Sequence, residues 1–446
     1  MRILRPYSFI DCRSCKFKLM EEIWLFIVPA SCLLCFLILK NFLLKQTRYK
    51  NRPPTPTSLP IIGHLHLVKE PIHRSLQLLS NNYGPIVSLS FGNRCVLLIS
   101  SPSAAEECFS KNDILFANRP RLISGKYFSY DYTAMGAASY GPLWRNLRRL
   151  AALDIFSTNR LNMFLGIRKD EVDYKSYKKG IIRLHTNSDR FMQSLIDEHR
   201  NTRNSSGEGA RIKTIIDSML SLQDSEPEYY TDEIIKGMIM TLLVAGTDTT
   251  SVTAEWAMSL LLNHPFVLKR ARVELDHHVG HGRLAEEPDL VKLPYLQCII
   301  NETLRLFPAA PLLVPHESSD YCTIGGYDVP PSTMLIVNAW SIHRDPKVWE
   351  DPESFRPERF EGLEGEVEAY NFIPFGRGRR SCPGVGLANR VMGLALATLI
   401  QCFEWERISE EEVDLTEGTG LTMPKVEPLE AMCKARECML NVLSKL

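Results

Sequence analysis

The stretch Pro374-Phe375-Gly376-Arg377-Gly378-Arg379-Arg380-Ser381-Cys382-Pro383-Gly384 puts a single cysteine in a loop dense with glycine and arginine. An apolar helical pattern follows at once, from Val385 to Leu399. Glycines at 376, 378 and 384 allow φ > 0 and let the backbone approach a flat partner closely. Arg377, Arg379 and Arg380 beside one sulfur favour a thiolate over a thiol, and so does the N-terminus of the following helix. Taken as residues alone, Cys382 has two readings. It is either an axial thiolate ligand to a metal, approached by backbone N–H groups, or an ordinary buried cysteine in a basic turn.

The 446 residues suffice for two average domains, or for one large one with an appendage. Hydrophobic residues make up 45% and charged ones 23%, which allows a sizeable core. Lys+Arg and Asp+Glu both number 52, and this balance argues against nucleic acid as a partner. The 12 cysteines form no framework and read as reduced thiols. Cys12-x-x-Cys15 and Cys32-x-x-Cys35 have the spacing of a zinc ribbon, which keeps a zinc-binding membrane adaptor as a remote reading. Against it, Cys32 and Cys35 lie inside Ile23–Leu39, a run without any charge that reads as a membrane span. Arg52-Pro-Pro-Thr-Pro-Thr-Ser-Leu-Pro60 follows as a stiff spacer. Ile86–Ile99 then reads as two strands about a Gly92-Asn93 turn.

The spacing Phe375-x-x-Gly378-x-Arg380-x-Cys382-x-Gly384 resembles the haem-binding signature of the cytochrome P-450 superfamily. That resemblance implies haem b, with Cys382 as the axial ligand of its iron and Phe375, Gly376, Gly378, Arg380 and Gly384 around it. Other motifs occur in the family's order. Trp144-x-x-x-Arg148 is similar to the helix that reaches the haem propionates, where a planar guanidinium suits a buried carboxylate. His316, in Pro315-His316-Glu317, stands where the family has a propionate-contacting strand residue. Glu302-x-x-Arg305, with Arg359 in Phe355-Arg-Pro-Glu-Arg-Phe360, resembles the buried Glu-Arg-Arg set that locks the cysteine loop in place.

The run Asp232–Leu262 is apolar nearly all round, so it predicts a long helix crossing the core, with Thr231 as its cap and His264-Pro265 as its end. Within it, Ala245-Gly246-Thr247-Asp248-Thr249-Thr250 predicts a local opening, because hydroxyls there can bond back to i−4 carbonyls. The motif resembles the family's oxygen site. Ala245 would then face the haem, and Thr249 and Asp248 would pass protons to bound dioxygen. The fold expected is mainly α with a small β part. Gly384-x-Gly386 lacks a leading strand and a third glycine, since Asn389 stands there, so it is no dinucleotide fingerprint. Electrons would therefore come from NADPH through a partner, NADPH-cytochrome P-450 reductase, with Arg145, Arg149, Arg377 and Arg379 as its docking face.

The chain departs from the family in one place. Eleven of the twenty-five residues from Gly166 to Arg190 are charged, and Ser157–Tyr230 spans only 74 residues. A deletion at Val172-Asp173, of three or four helices of about 11–12 residues each, accounts for both. The expected organisation is an atypical extension (1–19), a membrane anchor (20–44), a basic, proline-rich hinge (45–62) and a monooxygenase domain (63–446) incomplete between about 160 and 230. Such an anchor implies the endoplasmic reticulum membrane with a cytoplasmic catalytic domain. Ala-Gly-Thr-Asp-Thr-Thr, Pro-His-Glu-Ser-Ser and the cysteine loop resemble the plant A-type group, and Arg160-Leu-Asn-Met-Phe and Leu195–Arg200 its isoflavone 2′-hydroxylase branch. The resemblance implies O2 and a small lipophilic isoflavonoid, flavonoid or related phenylpropanoid as substrates. Contacts to the latter would come from Tyr127–Met135, Met238–Leu243, Ala309–Leu313 and Thr419–Leu421. A truncated, inactive and haem-poor product of the same family is the rival reading.

Overall fold

The Gly92-Asn93 pair turns the chain between β1 (Ile86–Phe91) and β2 (Arg94–Ile99), with Gly92 at φ +62. Their antiparallel register runs from Ile86↔Ile99 to Phe91↔Arg94 and gives the ribbon two faces. Val87, Leu89, Val96 and Leu98 pack on Leu76 and Leu79 of α1 (Ile72–Tyr83), while Ile86, Leu97 and Ile99 join Phe109, Phe116 and Ile342 on the other side. β3 (His316–Glu317), the hairpin β4 (Cys322–Ile324) and β5 (Tyr327–Val329), and β6 (Met334–Val337) come from much later in the chain. β6 lies parallel to β2 and antiparallel to β3, so the sheet order is β1-β2-β6-β3. β7 (Phe403–Glu406) and β8 (Met432–Ala435) form a separate antiparallel pair.

The computed structural model describes residues 50–155, 179–205, 214–362 and 370–445, together with 28, 29, 31 and 33. The first 19 residues, most of the expected anchor, Cys12, Cys15, Cys32, Cys35 and the Val172-Asp173 join lie outside the described residues. Val28, Pro29, Ser31 and Leu33 are helical. Residues 53–446 form one compact unit.

The helices that build the body are α2 (Pro142–Leu150), α3 (Lys179–Ser205), α4 (Ile215–Ser225), α5 (Asp232–Asn263), α6 (Pro265–His278), α7 (Pro294–Leu306) and α8 (Val385–Cys402). Near its start, α5 buries Ile234, Ile235, Met238 and Ile239 against Leu147 of α2, Ile196 of α3 and Leu220 of α4. Beyond its middle, Val252, Trp256 and Leu260 pack on Leu268 of α6, Ile299 of α7 and Leu396 of α8. Between these two cores Leu243–Asp248 are all exposed. At 3.6 residues per turn, six successive positions go right round a helix, so exposed side chains encircle α5 there, with the Thr422 hydroxyl meeting Asp248. α8 is long and apolar enough to cross a membrane, but Met392, Leu396 and Ile400 place it in the core.

Two expectations for α5 are corrected. The helix is unbroken from Asp232 to Asn263, so there is no opening at Gly246. The hydroxyls of Thr249 and Thr250 do donate to the carbonyls of Ala245 (2.6 Å) and Gly246 (3.0 Å), but without displacing the helical turns. Thr231 occupies the N-cap position yet its side chain makes no capping bond.

The C-terminal segment is tied to the N-terminal one by Glu417. Its buried carboxylate accepts from His73 (2.8 Å), Arg74 (2.6 Å) and the indole of Trp340 (2.8 Å). Burial pushes its pKa up, but the bonds from His73 and Arg74 outweigh it and hold the group at about 2. Depressed in the fold, this carboxylate contributes stability above its ordinary value of 4.5 and loses it as pH falls towards about 2. The unfolding midpoint of the wild type is expected to drop across that window. Glu417→Gln, less stable at neutral pH, should show a flatter profile there in acid titrations of thermal unfolding.

Candidate active site

The cysteine loop is built from turns that need glycine. Gly376 and Gly378 take φ +66 and +71, and a Cβ on Gly378 would press into the Asp113 carboxylate and the Phe109 carbonyl. The amide of Gly376 donates to Ile373 (3.0 Å), that of Ser381 to Gly378 (3.0 Å) and that of Cys382 back to Phe375 (2.9 Å). Phe375 rests on the main core. Gly384 departs from expectation, with φ −90 at the N-cap of α8. What it supplies is an amide directed at the Cys382 sulfur.

The loop arginines do not act as a group on that sulfur. Arg377 donates to the Phe372 carbonyl (3.3 Å), and Arg379 pairs with Asp113 (3.2 Å). Arg380, buried, gives Nε to Ala117 (2.7 Å), Nη1 to Met135 (3.3 Å) and Nη2 to Ala138 (2.5 Å), all carbonyls. The cation that reaches the thiol is Arg148 of α2. Cys382 has surface open to the cleft but is enclosed enough for burial to dominate. Burial raises its pKa above the ordinary thiol value, against the Gly384 amide and Arg148, which lower it. The expectation of a thiolate made by three neighbouring arginines is therefore corrected. By itself the chain favours the thiol, and a bound metal ion is what would deprotonate it.

Around Arg380 the charges are of one sign. Its guanidinium lies over the Trp144 ring at 4.4 Å, and Arg148 is close enough to lower its pKa, to about 10, after the larger effect of burial. The Arg148 guanidinium makes no hydrogen bond among the described residues, and neither does the indole N–H of Trp144. A further cation was not singled out by sequence reasoning. Arg119 gives Nη1 to the carbonyls of Val314 and Pro315 (2.8 Å each), and its Nε is buried without an acceptor. Burial and the Arg380 charge lower its pKa to about 9. The only local signal was an arginine between the apolar Phe116-Ala117 and Pro120. His316 lies beside it, its Nδ1–H donating to the Phe116 carbonyl (2.7 Å). Burial and then Arg119 hold His316 well below the usual imidazole range, so it is neutral and its free Nε2 is an acceptor.

The Glu302, Arg305 and Arg359 side chains meet. Arg305 is bidentate to Glu302 (2.7 and 2.8 Å), with both side chains fully buried, and Arg359 Nε reaches the same carboxylate at 3.0 Å. Arg305 also donates to the carbonyls of His343 (2.8 Å) and Pro352 (2.7 Å), which fastens α7 to the segment leading into the cysteine loop. On α5, Ala245 and Asp248 are exposed, and a Cβ on Gly246 would meet nothing within 4 Å. Of the stretches expected to contact substrate, Leu243 and Leu421 are exposed, whereas Met135, Met238 and Ile239 are buried in the core around α2 and the start of α5.

The sequence profile of the cytochrome P-450 family matches residues 53–174 and 153–429. The chain belongs to the cytochrome P-450 family. It is 49% identical to cytochrome P-450 81Q32 of Catharanthus roseus (89% of this chain, 94% of the relative). Identity is 46% to an isoflavone 3′-hydroxylase of Medicago truncatula (90% and 96%) and 43% to an isoflavone 2′-hydroxylase of Glycyrrhiza echinata (91% and 96%). A zebra fish cytochrome P-450 solved with progesterone superimposes with a TM-score of 0.71 at 26% identity, covering 82% of this chain and all of that one. The alignment to the Catharanthus relative is 479 positions long yet takes in 89% of these 446 residues, about 397, so roughly 80 positions of the relative face gaps here, room for several helices of about 11–12 residues.

Cytochromes P-450 are haem-thiolate proteins, and the residues present fit that group. A sulfur with an amide aimed at it suits an axial ligand. Arg119, Arg148 and Arg380, with a buried unpaired Nε on Arg119 and no carboxylate among the charges that shift them, suit a dianionic porphyrin edge. Two outcomes are expected. Arg305→Met leaves Glu302 with one of its two arginine partners and should lower unfolding stability by about 3–5 kcal/mol in denaturant titrations. In haem-free protein, the raised thiol pKa should make alkylation of Cys382 climb with pH beyond the range of an ordinary thiol, as read peptide by peptide by mass spectrometry.

Proposed function

We propose that this chain is a haem-dependent monooxygenase acting on a small lipophilic plant metabolite, an isoflavonoid, flavonoid or related phenylpropanoid. One oxygen atom enters a substrate C–H bond and the other leaves as water: RH + O2 + NADPH + H⁺ gives ROH + H2O + NADP⁺. The observation that carries the reading is the placement of Cys382 under a Gly384 amide and within reach of Arg148, beside Arg119 and Arg380, with no carboxylate among the charges that shift these three arginines. When bound, haem supplies reductive activation of O2. The chain's residues do the rest. Cys382 would ligate the iron, and Trp144, Arg119, Arg148 and Arg380 would hold the propionates. His316 would join them once a carboxylate beside it raises its proton affinity. Ala245 and Gly246 would leave room for dioxygen, and Asp248 and Thr249 would carry protons inward.

The isoflavone hydroxylases among the relatives support the substrate class. Electrons come from NADPH-cytochrome P-450 reductase. Arg145 and Arg379, each 5.7 Å from the centre of the Tyr140 ring, and the exposed Arg149 form its docking surface, while Arg377 is turned partly inward. Residues 20–44 anchor the chain in the endoplasmic reticulum membrane.

A second reading has an observation of its own. The side chains of α5 are exposed from Leu243 to Asp248, and roughly 80 positions of the Catharanthus relative have no counterpart, enough for several helices of about 11–12 residues. A chain that has lost the helices over its pocket could fail to retain haem. A reduced carbon monoxide difference spectrum of the expressed protein decides between the two. A thiolate-type Soret band that disappears in Cys382→Ser is expected, and a wild type without that band supports the inactive product.

A further inference from the structure

Asp248, on the exposed stretch of α5, accepts a hydrogen bond on Oδ2 from the hydroxyl of Thr422 at 2.6 Å, although the two lie 174 residues apart. That length is in the range of a charge-assisted O–H···O⁻ bond. No other hydrogen bond reaches the Asp248 carboxylate among the described residues, the Ser251 hydroxyl donating to its backbone carbonyl (3.0 Å), so Oδ1 remains free. An exposed aspartate on a helix ordinarily samples several rotamers. Here one is selected by a group whose own position is fixed from three sides.

The fixing begins at the ends of the loop that carries Thr422. Glu417 and Lys425 pair across it, with the Gly418 amide donating to Pro424 (2.7 Å) and Val426 to Thr416 (3.0 Å). A side chain on Gly418 would run into the Lys425 carbonyl at 2.9 Å, so the two arms can close this tightly only with glycine there. Next to Thr422, Met423 is fully buried. Its amide donates to Ala309 (3.0 Å), and its carbonyl accepts the indole N–H of Trp256 (2.8 Å). Trp256 is on α5 itself, about 12 Å along the axis from Asp248 at 1.5 Å per residue, and it is stacked on Phe307 at 3.9 Å. The loop is thus pinned to the same helix that carries the aspartate.

We infer that Thr422 is a positioning residue for proton delivery: its hydroxyl holds the Asp248 carboxylate in the one orientation from which Oδ1 serves the cleft. The inference rests on the reading of Asp248 as a proton carrier. Oδ1 takes a proton from solvent and releases it inward, the proton ends in the water product, and the carboxylate is restored for the next. Thr249 donates to Ala245, so it offers lone pairs to Asp248 and must exchange that bond to relay a proton. The loop also carries Leu421, 86% exposed beside Thr422. A substrate pressing on that tip acts on the carboxylate through one intervening residue.

The test compares Thr422→Val, Thr422→Ser, Asp248→Asn and the Thr422→Val/Asp248→Asn double variant in the haem-loaded full chain. They are assayed with NADPH, cytochrome P-450 reductase and unsubstituted isoflavone. Thr422→Val should lower kcat about tenfold, a part of what loss of a general acid costs, with KM and the substrate-induced absorbance change kept. The lost product should reappear as hydrogen peroxide per NADPH consumed. Thr422→Ser should restore coupling, and the double variant should be no worse than Asp248→Asn alone. Amide exchange at Gly418–Leu421, which needs no turnover, should quicken in Thr422→Val and not in Thr422→Ser. A Thr422→Val enzyme as well coupled as wild type overturns the role, as does one whose loss is all in KM or adds fully to that of Asp248→Asn. A wild type that makes no product overturns the monooxygenase reading, and the role of Thr422 falls with it.

Discussion

A guanidinium taken out of water must find acceptors for its donors, and Arg380 finds them in three backbone carbonyls of one segment, Ala117, Met135 and Ala138. Because those acceptors are neutral, the charge itself is left uncompensated. The same geometry therefore ties the cysteine loop to residues 117–138 and creates a demand for an anion. Arg119 and Arg148 add to that demand, each lowered in pKa by burial. Trp144 supplies a π-face to Arg380 and so lets the cation sit where water is scarce. The excess of positive charge here follows from the fold as much as from any individual residue.

Beneath this lies a second arrangement in which a buried carboxylate is fully satisfied. Glu302 takes two bonds from Arg305 and one from Arg359, and a fourth from the backbone amide of Arg356 (2.9 Å). The Ile373 amide, at the entrance to the cysteine loop, donates to His343 Nε2 (2.9 Å), and His343 in turn accepts Arg305 at its carbonyl. Structure is thus passed from α7 to the loop through buried polar contacts. Such contacts hold one geometry because breaking any of them strands a charge.

The helix α5 joins two cores that differ in what covers them. Its second half is enclosed by α6, α7 and α8, while its first part is met by α2, α3 and α4, where Asp232 accepts from Arg200 (2.6 Å), Gln223 (2.9 Å) and Gln193 (3.2 Å). The open turn between them carries the chemistry expected of Asp248 and Thr249, and it also exposes Leu243 and Val244. Polar cross-links at Asp232 steady the helices that are present, but they supply no apolar cover for those two side chains.

Read alone, the sequence determined the family, the sulfur, the long apolar helix, the β1–β2 hairpin and the identities of Glu302, Arg305 and Arg359, because each is carried by residue type at short spacing. Only the tertiary structure decided which charges act on Cys382. Arg377 and Arg379 are its neighbours in the chain yet are turned to Phe372 and Asp113, while Arg148, more than two hundred positions away, is turned towards it. Arg119, the neutral state of His316 and the bond from Thr422 to Asp248 were likewise beyond the sequence. The physical reason is common to all of them. Burial, the direction of a side chain and the closing of a loop are set by long-range packing, and electrostatic influence follows distance in space, which spacing along a chain does not encode.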